Sequence, residues 1–179
     1  MKVWHFTPWS NEKDLGAAYN EYMRLIPDGD VACIRDLDTM FLTPDAGDIV
    51  QKAAEQNPLS VLVCFTNRIH PSAKAQLAAD SLFDNTDIMK HINYAHDIRH
   101  FPDNKTTDVA GPLSGFLMVI PKAIWQICPF AEGVGLLGVD TYFFKNLQRK
   151  GITIKRINHL YIFHTYRLLN GIENKEHLK

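Results

Sequence analysis

The feature that most constrains this chain is the run Val31-Ala32-Cys33-Ile34, four apolar residues with no alternation, leading through Arg35 into Asp36-Leu37-Asp38. A strand wetted on one face alternates apolar with polar side chains. An unbroken run is buried on both faces and needs helices on either side of its sheet. Two more such runs follow, Leu59 to Phe65 and Ser114 to Ile120. Segments of helical period separate them, so the pattern predicts an α/β fold with a mostly parallel central sheet.

Residues 2–7 read as an opening strand, and Ser10 as the N-cap of a helix presenting Leu15, Ala18, Tyr19, Tyr22, Leu25 and Ile26. Pro27-Asp28-Gly29-Asp30 ends that helix. Thr43-Pro44-Asp45 opens a second, with Ile49, Val50, Ala53 and Ala54 on its apolar side, and Asn57-Pro58 breaks it. A third runs through Ile88, His91, Ile92, Ala95 and Ile98 and stops at Phe101-Pro102-Asp103-Asn104. Residues 103–112 read as a loop, and Pro121 starts a short helix with Ile124 and Trp125. A loop bearing Gly133, Gly135 and Gly138 leads to a helix from Asp140 to Lys150 with Gly151 as its cap. Ile152–Ile157 and Leu160–His164 read as two closing strands. Residues 1–167 are expected to form a single domain, with 168–179 a polar tail.

The two carboxylates carry the first chemical signal. In an extended chain, side chains at i and i+2 point the same way, so Asp36 and Asp38 can converge on one ligand. Sheets of this class bind ligands at the carboxyl ends of their strands. Crowded carboxylates repel, and a hard divalent cation relieves that repulsion. An acidic turn after a strand is the plainer alternative.

Composition narrows the partners. A net charge of −1 and a pI near 6.7 give no basic surface for nucleic acid or an anionic membrane. Cys33, Cys64 and Cys128 are odd in number, far apart and set in apolar runs, which suits reduced, buried thiols. The first residues lack the long apolar core of a secretory leader, and no run approaches spanning length, so no transmembrane segment and a cytoplasmic location are expected.

The order of motifs is more specific than any one of them. Gly16-Ala17-Ala18-Tyr19-Asn20 precedes Asp36-Leu37-Asp38. Ser114-Gly115-Phe116-Leu117-Met118, Gly138-Val139-Asp140 and Phe163-His164 follow. Over residues 3–167 this order resembles the GT-A nucleotide-sugar glycosyltransferases, in particular the family-2 and galactosyltransferase-C-terminal types. The resemblance implies a three-layer GT-A-like fold in a minimal version, Mn²⁺ or Mg²⁺ as cofactor, and a nucleoside-diphosphate sugar as donor. The sugar, a hexose, would pass with inversion to the hydroxyl of a glycan, lipid or protein acceptor.

Carried over position by position, the resemblance makes Asp38 the direct metal ligand, with Asp36 its partner toward the metal or the donor ribose, and His164 completes the set. Asp140 matches the general base, although Val139 stands where many members have a glutamate. Thr7, Pro8, Ser10, Lys13, Asn20 and Gly115 fall in the donor region, and Arg167 near the diphosphate. Trp4 and Trp9 are candidates to stack a base or, more plainly, to pack in the core. A plain helix N-cap is the alternative for Asp140.

A rival reading is a haloacid-dehalogenase-like Mg²⁺-dependent phosphohydrolase, with Asp36-Leu37-Asp38-Thr39 as first motif and the strand ending in Thr66 as second. A non-catalytic nucleotide-sugar-binding module is another. His96 and His100 have a zinc-compatible spacing but no third ligand. Gly133-x-Gly135-x-x-Gly138 lacks the downstream acid of a dinucleotide site.

Overall fold

A computed structural model describes residues 1–100 and 105–165. Arg167, the 168–179 tail and the predicted helix stop at 101–104 lie outside the described residues. In chain order the elements are β1 Val3–Phe6, α1 Leu15–Leu25, β2 Val31–Arg35, β3 Thr39–Phe41, α2 Ala46–Gln56 and β4 Val61–Thr66. Then come α3 Ile88–Arg99, β5 Thr106–Asp108, β6 Leu117–Pro121, α4 Lys122–Ile127, α5 Val139–Arg149 and β7 Ile154–His164. Two single turns of tighter helix, Lys74–Gln76 and Asp80–Leu82, lie between β4 and α3. Among the described residues, no helix is long and apolar enough to cross a membrane.

Among the described residues the strands form one seven-stranded sheet in the order β1-β2-β6-β4-β7-β3, with β5 also on β7. β1 with β2 and β4 with β7 are parallel. The other pairings are antiparallel. This corrects the expectation of a mostly parallel sheet. β6 is buried along its whole length, so its residues must be apolar whichever way it runs, and an apolar run carries no information on direction. The four strands β1, β2, β4 and β7 do share a direction, so their carboxyl ends gather at one edge.

Alternate side chains of the central strands feed two apolar layers. Val31 and Cys33 pack with Ile49, Val50, Ala53 and Ala54 of α2 on one face. Ala32 and Ile34 pack with Tyr19 and Met23 of α1, Ile124 of α4, and Phe143, Phe144 and Leu147 of α5 on the other. Removing a fully buried side chain such as Phe143 costs about 3–5 kcal/mol, so α5 is held firmly from beneath. Leu25 is 73% exposed, contrary to its predicted place on the buried face of α1. Met23 takes that place. Cys33, Cys64 and Cys128 are free and buried.

Other details also differ from expectation. The N-cap of α1 is Asp14, whose carboxylate accepts from Ala17 N at 3.2 Å; Ser10 Oγ instead accepts from Asp14 N at 2.9 Å. Residues 106–108 of the predicted loop form β5. The two predicted closing strands are one, β7, whose register against β4 slips at Cys64/Phe65. That irregularity places Ile157 opposite Cys64 and Tyr161 opposite Phe65, so the polar Asn158 and His159 read as a break although the strand continues.

Candidate metal and active site

The Asp36–Asp38 segment is a tight turn, not an extended strand end. Asp36 N donates to Phe116 O at 3.0 Å, and Asp36 O accepts from Thr39 N at 3.3 Å and Thr39 Oγ1 at 2.7 Å. Arg35 Nη1 closes the turn on Thr39 O at 2.9 Å. The turn carries the chain from β2 to the far edge of the sheet, where β3 pairs with the end of β7, Thr39 opposite His164. Asp38 O then accepts from Thr165 N at 2.9 Å and Thr165 Oγ1 at 3.0 Å. Two segments far apart in sequence are stitched together where the carboxylates meet the imidazole.

Asp36, Asp38 and His164 each offer one ligand atom, and these atoms lie within 4.8 Å of one another. Ligand atoms around one divalent cation at ~2.1–2.3 Å sit roughly 3–4.5 Å apart, so the cluster needs little adjustment to hold one. The ring of His164 is oriented for the task. Its Nδ1 lies 2.8 Å from Arg68 O, and a carbonyl only accepts, so Nδ1 carries the proton. Nε2 is thereby turned toward Asp38 Oδ1, at 3.2 Å; a proton links the two when no metal is bound, and a cation in its place would be held by both atoms, as in metal-ligating histidines whose other nitrogen is tied to a backbone carbonyl. Two carboxylates and one imidazole form a donor set for a hard or borderline divalent ion.

The two acids differ. Burial pushes the Asp36 carboxyl up to about 6, reinforced by the charges of Asp38 and Asp140 and opposed by His164. Burial also raises Asp38, but the hydrogen bond and charge of His164, with its own backbone N–H, bring it below the usual range. One acid is thus held ionised while the other carries the cost of crowding.

A cleft of about 770 Å³ opens beside this cluster. Asp36, His164, Gly115 and Asp140 line it, with Tyr19 and the leucines 113, 136 and 137 as apolar wall. Asp140 sits in the first turn of α5. Its Oδ2 accepts from Gly115 N at 2.9 Å, and its Oδ1 from Thr141 N at 2.7 Å. A Cβ on Gly115 would lie 2.7 Å from Asp140 Cβ, so only glycine lets the two segments approach this closely.

Thr7, Pro8, Ser10, Lys13 and Asn20 do not line this cleft. Asn20 is buried and engaged within the fold: its amide donates to Phe130 O and Glu132 Oε1 and accepts from Trp125 Nε1 and Phe130 N. Gly16, in the same motif, admits the carbonyl of Ala131, which a Cβ would meet at 1.8 Å. The Gly-Ala-Ala-Tyr-Asn run therefore docks α1 onto segment 130–132. Trp4 donates to Asp30 at 2.9 Å beneath the Lys2 ammonium, whereas Trp9 is 70% exposed.

Sequence reasoning passed over several lining residues, among them His70, Ser72, Lys145 and Gln148. The last two share a helix face with Thr141, four and seven positions before them and also in the cleft wall, a signal present in the sequence. His70 and Ser72 carried none. The molecule is thus an α/β domain with a mixed sheet and an Asp/Asp/His cluster suited to a divalent metal, a coarse enzyme-like architecture. No protein-family model and no curated protein matches the chain.

Proposed function

We propose that this chain is a metal-dependent glycosyltransferase that moves a sugar, with inversion, from a nucleoside-diphosphate sugar to an acceptor hydroxyl. The observation that carries the reading is the convergence of Asp36, Asp38 and His164 beside a cleft that Asp140 also lines. A bound divalent cation would neutralise the charge that develops on a departing nucleoside diphosphate.

Asp38, with the lower affinity for protons, and His164 Nε2 would hold such an ion in place of the proton between them, and Asp36 would join them as a carboxylate. Asp140 is the residue suited to accept the proton of an acceptor hydroxyl. Its two anchored oxygens fix its orientation toward the cleft's reacting end as a general base requires. The apolar wall limits water at the same place, which favours transfer over hydrolysis.

The phosphohydrolase alternative has less support. Thr66, its second-motif residue, is fully buried with Oγ1 3.3 Å from Asn67 Oδ1 and does not line the cleft. A panel of UDP-, GDP-, CMP- and dTDP-sugars, scanned by thermal shift with and without Mn²⁺, tests the proposal. One donor class should raise the melting temperature only with Mn²⁺, and Asp38→Ala should abolish that rise. No Mn²⁺-dependent donor, or a rise indifferent to Asp38→Ala, would sink it. A donor that binds but is never turned over identifies the binding module instead.

A further inference from the structure

The segment from Thr66 to Gln76 connects β4 to the following loop and buries an unusual set of polar side chains: Thr66, Asn67, Arg68 and Gln76 are each at most 1% exposed. Arg68 is paired with Asp84 at 3.3 Å, and the hydrogen bonds that satisfy Asn67 and Gln76 lead to the site.

Asn67 grips the backbone of His164 from both sides. Its Oδ1 accepts from His164 N at 2.8 Å, and its Nδ2 donates to His164 O at 3.2 Å. The next carbonyl, Arg68 O, accepts from His164 Nδ1. Backbone and ring of the candidate ligand are therefore both held by two consecutive residues.

Gln76 does the same at the other end of the segment. Its Oε1 accepts from Ser114 N at 2.7 Å, and its Nε2 donates to Ser114 O at 2.9 Å. Ser114 is bonded to Gly115, whose N–H holds Asp140 Oδ2. Between the two grips, Ile69, His70, Ser72 and Ala73 line the cleft itself. A rigid amide pair at each end of one connector is what second-layer support of a site requires.

We propose that Thr66–Gln76 is the positioning element of the site, Asn67 setting the metal corner through His164 and Gln76 setting the acid corner through Ser114–Gly115 and Asp140. The two actions are separable, because one grip closes on the end of β7 and the other on the loop that leads into β6. The assignment of Asp140 to catalysis rests on the glycosyltransferase reading; the placement of the two corners does not.

The test uses the full chain and two readouts that need no substrate: Mn²⁺ affinity by titration calorimetry, and amide hydrogen exchange at Ser114, Gly115 and His164. Gln76→Met should speed exchange at Ser114 and Gly115 tenfold or more while leaving Mn²⁺ affinity and His164 exchange within about twofold. Where transfer is measured, it should lower kcat by about ten- to a hundredfold with the donor KM unchanged. Asn67→Asp keeps the acceptor for His164 N but loses the donor to His164 O. It should weaken Mn²⁺ by about ten- to a hundredfold and leave Ser114 and Gly115 exchange as it was. If Gln76→Met does not fold, Gln76→Glu, which keeps the acceptor for Ser114 N and loses only the donor to Ser114 O, should leave Ser114 protected, speed exchange at Gly115 and leave Mn²⁺ affinity within about twofold. Either variant disturbing both corners together, or neither, overturns the proposal. A wild-type chain that binds Mn²⁺ but transfers no sugar would instead count against the functional reading, with the exchange and affinity results still deciding this one.

Discussion

Asp36→Asn should make the metal-free protein more stable at neutral pH. Burial lifts the Asp36 carboxyl from 3.8 to about 6. For an acid raised on folding, the folded state binds the proton more tightly than the unfolded one. Below the unfolded value both states are protonated and no penalty exists. The penalty grows as pH rises past 3.8 and is complete above about 6. The full step corresponds to about 3 kcal/mol, and the partial exposure of Asp36 trims that to on the order of 1–2 kcal/mol. For a domain of this size that is a gain of about 2–8 °C in melting temperature. The assay is thermal unfolding of both proteins with a chelator present, from about pH 4 to about pH 8. The difference should be small at the acid end, where other carboxylates titrate alike in both proteins, and should reach its plateau near neutrality. Adding Mn²⁺ should stabilise the wild type and leave Asp36→Asn nearly unmoved, reversing the order. An asparagine variant equal to or weaker than wild type at neutral pH, or a difference independent of pH, would refute the reasoning.

Asp140→Asn keeps an oxygen for Gly115 N but cannot take a proton. Turnover should fall by about 10²–10⁴ with Mn²⁺-dependent donor binding retained, as read by steady-state kinetics beside calorimetry. Gly115→Ala places a methyl against Asp140 Cβ and should cost about 1–3 kcal/mol of stability by denaturant titration, with turnover falling as the carboxylate is displaced. Gly16→Ala drives a methyl into the Ala131 carbonyl. Backbone cannot yield as a flexible side chain can, so unfolding should show a loss at or above the upper end of that range, about 3 kcal/mol.

Much of the architecture was local information. Continuous apolar runs at Val31–Ile34 and Leu117–Ile120 mark strands buried on both faces, and the spacing of Ile49, Val50, Ala53 and Ala54 marks the buried side of α2. These patterns survive folding because burial is decided by each residue's own chemistry. The acidic pair and Asp140 at the head of a helix stood out for the same reason.

Strand direction was not local. β6 runs antiparallel between β2 and β4, and only the path of the chain decides that. Nor was the role of a polar residue. Nothing in the sequence announces the four hydrogen bonds that hold Asn20 inside the fold. Asn67 and Gln76 look like loop residues, yet each grips a distant backbone. By itself, the sequence determined where the carboxylates, the imidazole and the buried strands lie along the chain. Tertiary structure alone brought Asp36 and Asp38 to His164, through a tight turn and the pairing of β3 with β7. A site is made of side chains close in space, and sequence spacing reports such closeness only within a single helix or strand.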